Sequence, residues 1–271
     1  MQYIYTQNQF LPADVPFIAA DDRSFRFGDG IFDTMLVVNG RIYNMEAHFS
    51  RLARGLEFFS IALDLAGVPA ICRELVAKNK LTAGYVRVVI SRGPGVGAVG
   101  YLPSESAPYF LVQTAEKPFP EYQQLALCVS RHRASIHLPC KTNSAMLYTL
   151  SMLQARGEGC DNALILDAEG HLCETASGNI FWVKNGTIYT PETSLPFVPG
   201  TVREQVIKHS PLPVVEGRYR LADLETADEI FMTNIAYLVA AIRGIKPQGF
   251  TPKGDAVTKQ VWEIISNIYR S

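Results

Sequence analysis

Along residues 45–59 the apolar positions Phe49, Leu52, Leu56 and Phe59 recur at three- and four-residue spacing, the signature of an amphipathic helix with one buried face. The flanking patterns have a shorter period. Residues 30–38 (GIFDTMLVV) and 40–43 read as a hairpin turning at Asn39-Gly40, a pair suited to a two-residue turn. Residues 85–91 (YVRVVIS) and 109–113 read as further strands. Later come a strand at 125–130, a helix at 144–155 ended by Gly157 and Gly159, and a short buried strand at 163–166 followed by a turn at 167–170. A second hairpin joins 181–183 to 187–190 around Asn185-Gly186. A helix opens at Thr201, with Glu204 at capping-box spacing, and a late strand covers 230–233. Strands and helices are mixed without regular βαβ alternation, so the class is α+β. The clearest break in composition is 114–122 (TAEKPFPEY), where two prolines and several charges separate two apolar runs. The expected organisation is a smaller N-terminal α+β domain over 1–115, a linker at 116–122 and a larger C-terminal α+β domain over 123–271.

Composition narrows the function classes. Hydrophobic residues at 48% and charged residues at 19% suit a compact core, and a formal net charge of −1 gives no whole-molecule field toward nucleic acid or an anionic membrane. No apolar run approaches the ~18 residues needed to cross a bilayer. The first ten residues show no basic segment followed by an apolar core, so a cytoplasmic protein is expected. Five cysteines without CxxC spacing argue against both a disulfide frame and a zinc site, and no metal is expected.

Four features could carry chemistry. Gly95 to Gly100 (GVGAVG) fits GxGxxG after a strand, but two prolines at 103 and 108 stand where a dinucleotide-binding fold needs its helix. The stretch 199–204 (PGTVRE) is either an anion site at a helix N-terminus or simply a well-capped helix. Lys141 lies at a junction among mostly uncharged residues, where a desolvated amine can become a nucleophile or base. Glu174 stands just beyond an apolar strand. Taken singly, a lysine such as Lys141 or a glutamate such as Glu174 is usually a solvated surface group.

Read in order, FGDGIF (27–32), HFSRL (48–52), Lys141 before its helix, DNALILD (161–167), ETASGNIF (174–181), IYTP (188–191), GTVR (200–203) and ADEIFMTN (227–234) resemble the fold-type IV enzymes dependent on pyridoxal 5′-phosphate (PLP). These comprise branched-chain aminotransferases, D-amino-acid aminotransferases and 4-amino-4-deoxychorismate lyases. The resemblance implies a two-domain D-amino-acid aminotransferase-like fold, PLP as cofactor, a small-molecule amine substrate and a homodimer. It also implies that Lys141 carries the cofactor covalently and moves protons, and that Glu174 keeps the pyridine nitrogen protonated. Arg51 would clamp the phosphate with a charge-assisted fork, Gly200, Thr201 and Val202 would add backbone donors, and Asn234 and Ile235 would line the other phosphate edge.

Within the family, Ser91-Arg92-Gly93 is followed by a glycine stretch lacking the Arg-Asn-His carboxylate trap of the D-amino-acid enzymes. Phe32 replaces a tyrosine common in aminotransferases, and Thr233-Asn234 resembles lyase sequences. A 4-amino-4-deoxychorismate lyase releasing 4-aminobenzoate and pyruvate is therefore the expected activity. A class IV aminotransferase is the alternative, and a non-catalytic PLP-binding protein the remote one. Phe32, Arg92 and Asn179 are the substrate candidates, with Arg26, Arg87 and Arg133 as further possible carboxylate partners.

Overall fold

The computed structural model describes residues 1–15, 18–95, 100–103, 107–247 and 249–271. Most of the glycine-rich GxGxxG stretch therefore lies outside the described residues. In chain order the elements are β1 (Tyr3–Thr6), β2 (Gln9–Pro12), α1 (Arg23–Phe27), β3 (Gly30–Val38), β4 (Arg41–Ile42), α2 (Met45–Phe58), α3 (Val68–Lys78), β5 (Ala83–Ser91) and β6 (Tyr109–Glu116). There follow β7 (Gln123–Ala134), β8 (Lys141–Thr142), α4 (Met146–Gly157), β9 (Asn162–Asp167), β10 (Leu172–Thr175), β11 (Asn179–Lys184), β12 (Thr187–Pro191) and α5 (Thr201–His209). The chain ends with β13 (Val214–Gly217), a 3₁₀ turn at Leu221–Leu224, β14 (Glu229–Asn234), β15 (Leu238–Lys246) and α6 (Ala256–Ile268).

Two compact units result: Met1–Phe119 with Pro139–Ala145, and Pro120–Leu138 with Met146–Ser271. The division differs from the expected single linker. Pro139–Ala145 joins the first unit, so Lys141 belongs there and not to the C-terminal unit.

In the first unit a sheet runs β2-β1-β6-β5-β3-β4, and β8 pairs with the start of β3. The Asn39-Gly40 turn forms as expected, with both residues at positive φ (51° and 73°), which matches the right-handed twist of the β3–β4 hairpin. Alternate residues of β3 and β5 (Ile31, Met35, Val37; Val86, Val88, Ile90) share a core with Leu52 and Leu56 of α2 and Leu75 of α3. Gly55 of α2 has a packing role: a Cβ there would fall 2.5 Å from Cys140 Sγ. The missing side chain thus lets the segment just before Lys141 lie against α2.

The second unit is built on an eight-stranded sheet, β10-β9-β7-β15-β14-β11-β12-β13. Leu127, Leu164, Ile180, Trp182 and Leu224 form one of its cores, and Cys128, Ala163, Ile165 and Ala155 of α4 form another. Adjacent β9 residues therefore bury opposite ways, which explains why 163–166 reads as continuously apolar. The α5 helix begins at Thr201 as expected, but its N-cap is Gly200 and no side chain caps it, so the anticipated Thr201–Glu204 capping box is absent. Among the described residues no helix is long and apolar enough to cross a membrane.

Candidate active site

β3 presents different chemistry on its two faces. On the α2 side Asp33 occupies an inward position between Ile31 and Met35, and is 1% exposed. Its Oδ2 accepts from Arg51 Nε at 2.8 Å, and its Oδ1 accepts from Arg51 Nη2 at 2.7 Å. His48 Nδ1 lies 2.8 Å from Oδ1 and donates to it. Burial alone would raise the Asp33 carboxyl, but the Arg51 guanidinium and the hydrogen bonds from His48 and Arg51 hold it well below the usual carboxylate range. Arg51 and His48 lie one helical turn apart on α2, which is why HFSRL reads as a unit. The planar fork expected to clamp a phosphate is taken by Asp33, so Arg51 can meet an anion only with another edge of its guanidinium.

The opposite face carries Phe32, which pairs directly with Lys141 across the β3–β8 ladder. Lys141 Nζ lies 5.8 Å from the Phe32 ring centroid, and the Arg87 guanidinium carbon lies 4.0 Å from it. Arg87 comes from β5, opposite Thr34. Its Nε is buried without a hydrogen-bond partner among the described residues. Burial lowers the Arg87 guanidinium from its ordinary value, and nearby Asp33 works against that shift.

The four candidate carboxylate arginines separate clearly. Arg92 is 7% exposed and its three nitrogens are occupied: Nε reaches both Asp29 oxygens at 2.8–2.9 Å, while Nη1 and Nη2 donate to the Ser60 and Phe59 carbonyls. Together with Arg23, which also pairs with Asp29, it braces the GDG turn, so the expected substrate role does not fit it. Arg26 and Arg133 are exposed. Arg87 is the one with an unsatisfied buried donor beside an aromatic face.

In the second unit Glu174 on β10 is 4% exposed, and its Oε1 accepts from the Tyr148 hydroxyl at 2.7 Å. Burial first, then the Glu174 charge, push the Tyr148 phenol far above its ordinary pKa, so it remains a donor. Tyr148 was not anticipated. The signal was available: Tyr148, Ser151 and Ala155 lie at helical spacing on α4, and a hydroxyl in a helix's inward stripe needs a partner.

Asn179 is 3% exposed and bonded within its own unit. Its Nδ2 donates to Val198 O at 2.9 Å and its Oδ1 accepts from Gly200 N at 3.0 Å. Its expected contact with substrate therefore gives way to shaping the turn before α5. Thr201 and Val202 are buried in that helix's first turn. Asn234 Oδ1 accepts from the backbone of Ala236 and Tyr237 at 2.9 and 2.8 Å, and its Nδ2 reaches Ser177 O. Asn234 thus fixes the tight turn that contains Ile235.

The sequence pattern of the family described as "Amino-transferase class IV" matches residues 30–245. The chain belongs to that family. A Vibrio harveyi "Aminodeoxychorismate lyase" is 30% identical over 238 residues, covering 83% of this chain and 86% of its own length. A Rickettsia bellii "Probable branched-chain-amino-acid aminotransferase" is 27% identical over 255 residues, covering 90% and 87%. The crystal structure of a Brucella abortus aminotransferase bound to PLP superposes with a TM-score of 0.87 at 22% identity, covering 99% of each chain. Relatives of both activities stand at similar distance, and the α+β architecture is the one they share.

Proposed function

We propose that this class IV chain is a PLP-dependent 4-amino-4-deoxychorismate lyase. Its donor set suits the cofactor: an amine at Lys141, a buried carboxylate at Glu174 already oriented by a phenol, a fixed guanidinium at Arg51, and a glycine-started helix end that no side chain caps. When bound, PLP supplies an electron sink for the bonds broken at the amine-bearing carbon. Lys141 would hold the cofactor, take the proton from that carbon and return a proton to the departing enolpyruvate, which would leave as pyruvate. Glu174 would hold the ring nitrogen and keep it protonated. By the resemblance, Arg51 would hold the phosphate through its charge, and Gly200, Thr201, Val202 and Ile235 would offer it backbone donors, the helix end adding its dipole.

The observation that favours the lyase is the Phe32–Arg87 pair beside Lys141. A hydroxyl-free aromatic face next to a guanidinium whose buried Nε has no hydrogen-bond partner among the described residues suits a flat, carboxylate-bearing ring. The Thr233-Asn234 pair, which resembles lyase sequences, agrees with it. The aminotransferase reading is supported by relatives such as the Rickettsia protein.

The test mixes PLP-loaded protein with 4-amino-4-deoxychorismate and follows 4-aminobenzoate and pyruvate together. Equimolar catalytic release of both, lost in Lys141→Ala, is expected. Absence of both products, with conversion of the cofactor to pyridoxamine phosphate by amino acids, would make the chain an aminotransferase.

A further inference from the structure

Glu174 is buried, and a carboxyl group shielded from water tends to become neutral unless donors stabilise its charge. A neutral carboxyl would not hold a proton on a neighbouring ring nitrogen. One donor that the structure provides is Tyr148, 2.7 Å from Oε1. The donor itself is rigidly mounted. α4 packs on β7 and β9, Ser151 and Ala155 on the same helical face are buried, and Glu174 lies opposite Ile165 across the β9–β10 ladder. Both partners thus sit on one framework in which neither needs to move to make the bond.

We propose that Tyr148 is a positioning residue that keeps Glu174 ionised and correctly turned, and that through Glu174 it sets the protonation of the cofactor's ring nitrogen. This rests on the reading of Glu174 as the partner of that nitrogen. A hydroxyl present only to fill space would leave the nitrogen unaffected when removed. A hydroxyl that lowers the carboxylate's basicity would let the shared proton move toward Glu174 once it is gone.

The experiment loads wild type, Tyr148→Phe, Glu174→Gln and the double variant with PLP labelled with ¹⁵N in the ring, and records the nitrogen signal without substrate. Glu174→Gln should move it toward the unprotonated value. Tyr148→Phe should move it part of the way in the same direction, and the double variant should match Glu174→Gln. Turnover should fall about tenfold in Tyr148→Phe, the equivalent of one pKa unit, with no further loss in the Glu174→Gln background. A wild-type signal in Tyr148→Phe, while Glu174→Gln shifts, overturns this proposal alone. An unshifted Glu174→Gln signal overturns the role of Glu174 and this proposal with it. Should Tyr148→Phe fail to fold, 4-aminophenylalanine at 148 keeps the ring and a weaker donor. It should give an intermediate signal, and a wild-type signal would again reject the idea.

Discussion

Asp33 is the residue on which the first unit's polar interior turns. A carboxylate 1% exposed, bonded to two nitrogens of Arg51 and to His48, is stabilising only while it is charged. Asp33→Asn removes the carboxylate charge that faces the buried Arg51 guanidinium, a loss for which about 3–5 kcal/mol is typical. The pH dependence has a definite sign. Because the folded-state pKa is depressed below the ordinary 3.8, the contribution is fully present above pH 3.8 and shrinks as the pH falls below it toward the folded value. Urea titrations at pH 7 and pH 3 should therefore show the gap between wild type and Asp33→Asn narrowing at the lower pH. A constant gap would mean that Asp33 is not charged in the folded protein. Asp33 was legible in principle, since a carboxylate at the inward phase of an apolar strand demands a partner. Arg92 was not: nothing in SRG shows that two carbonyls and Asp29 would surround its guanidinium.

At the scale of elements, local pattern carried most of the strands and both Asn-Gly hairpins, because turn chemistry and period-two alternation are written within ten residues. Missed were α1, α3, α6, the β1–β2 hairpin, and the strands β8, β10, β13 and β15. The α6 helix has no side-chain cap of its own; Glu229 of β14 supplies it, accepting from the backbone of Val257 and Thr258. A cap supplied from 28 residues away has no local signature. The start of α5 shows the converse, a boundary read correctly for the wrong reason, since Asn179 and Gly200 replace the expected capping box. A Cβ on Gly200 would press on Asn179 Oδ1 and displace the hydrogen bond that shapes the turn. Gly200→Ala should retain its circular dichroism but bind PLP roughly tenfold more weakly in equilibrium dialysis, about the worth of one net hydrogen bond. Unchanged affinity would remove this helix end from the phosphate site.

For the whole molecule, the family and the α+β architecture were legible because eight short motifs keep their order along the chain. The division between lyase and aminotransferase was much less so, since both chemistries begin with the same proton removal by one lysine. The homodimer that the resemblance implies belongs to this scale. Met146, Leu150 and Leu153 lie at i, i+4 and i+7 on α4 and are 63%, 38% and 59% exposed, a stripe that a second copy would cover. Sedimentation equilibrium should return about 60 kDa, twice the 30.0 kDa chain. A 30.0 kDa species at micromolar concentration would refute self-association.

The pairing of β8 with the start of β3 also bears on how the protein is born. When a ribosome has released residue 119, the nascent N-terminal sheet still has Ile31 and Phe32 on an open edge, because the strand that closes it is encoded after β7. The edge can be closed only when the exit tunnel has delivered 139–145, and the strand that closes it is the one bearing Lys141. The emerging chain must therefore keep an unfinished sheet in reserve while it begins its second unit, and the reactive amine arrives with the piece that completes the first.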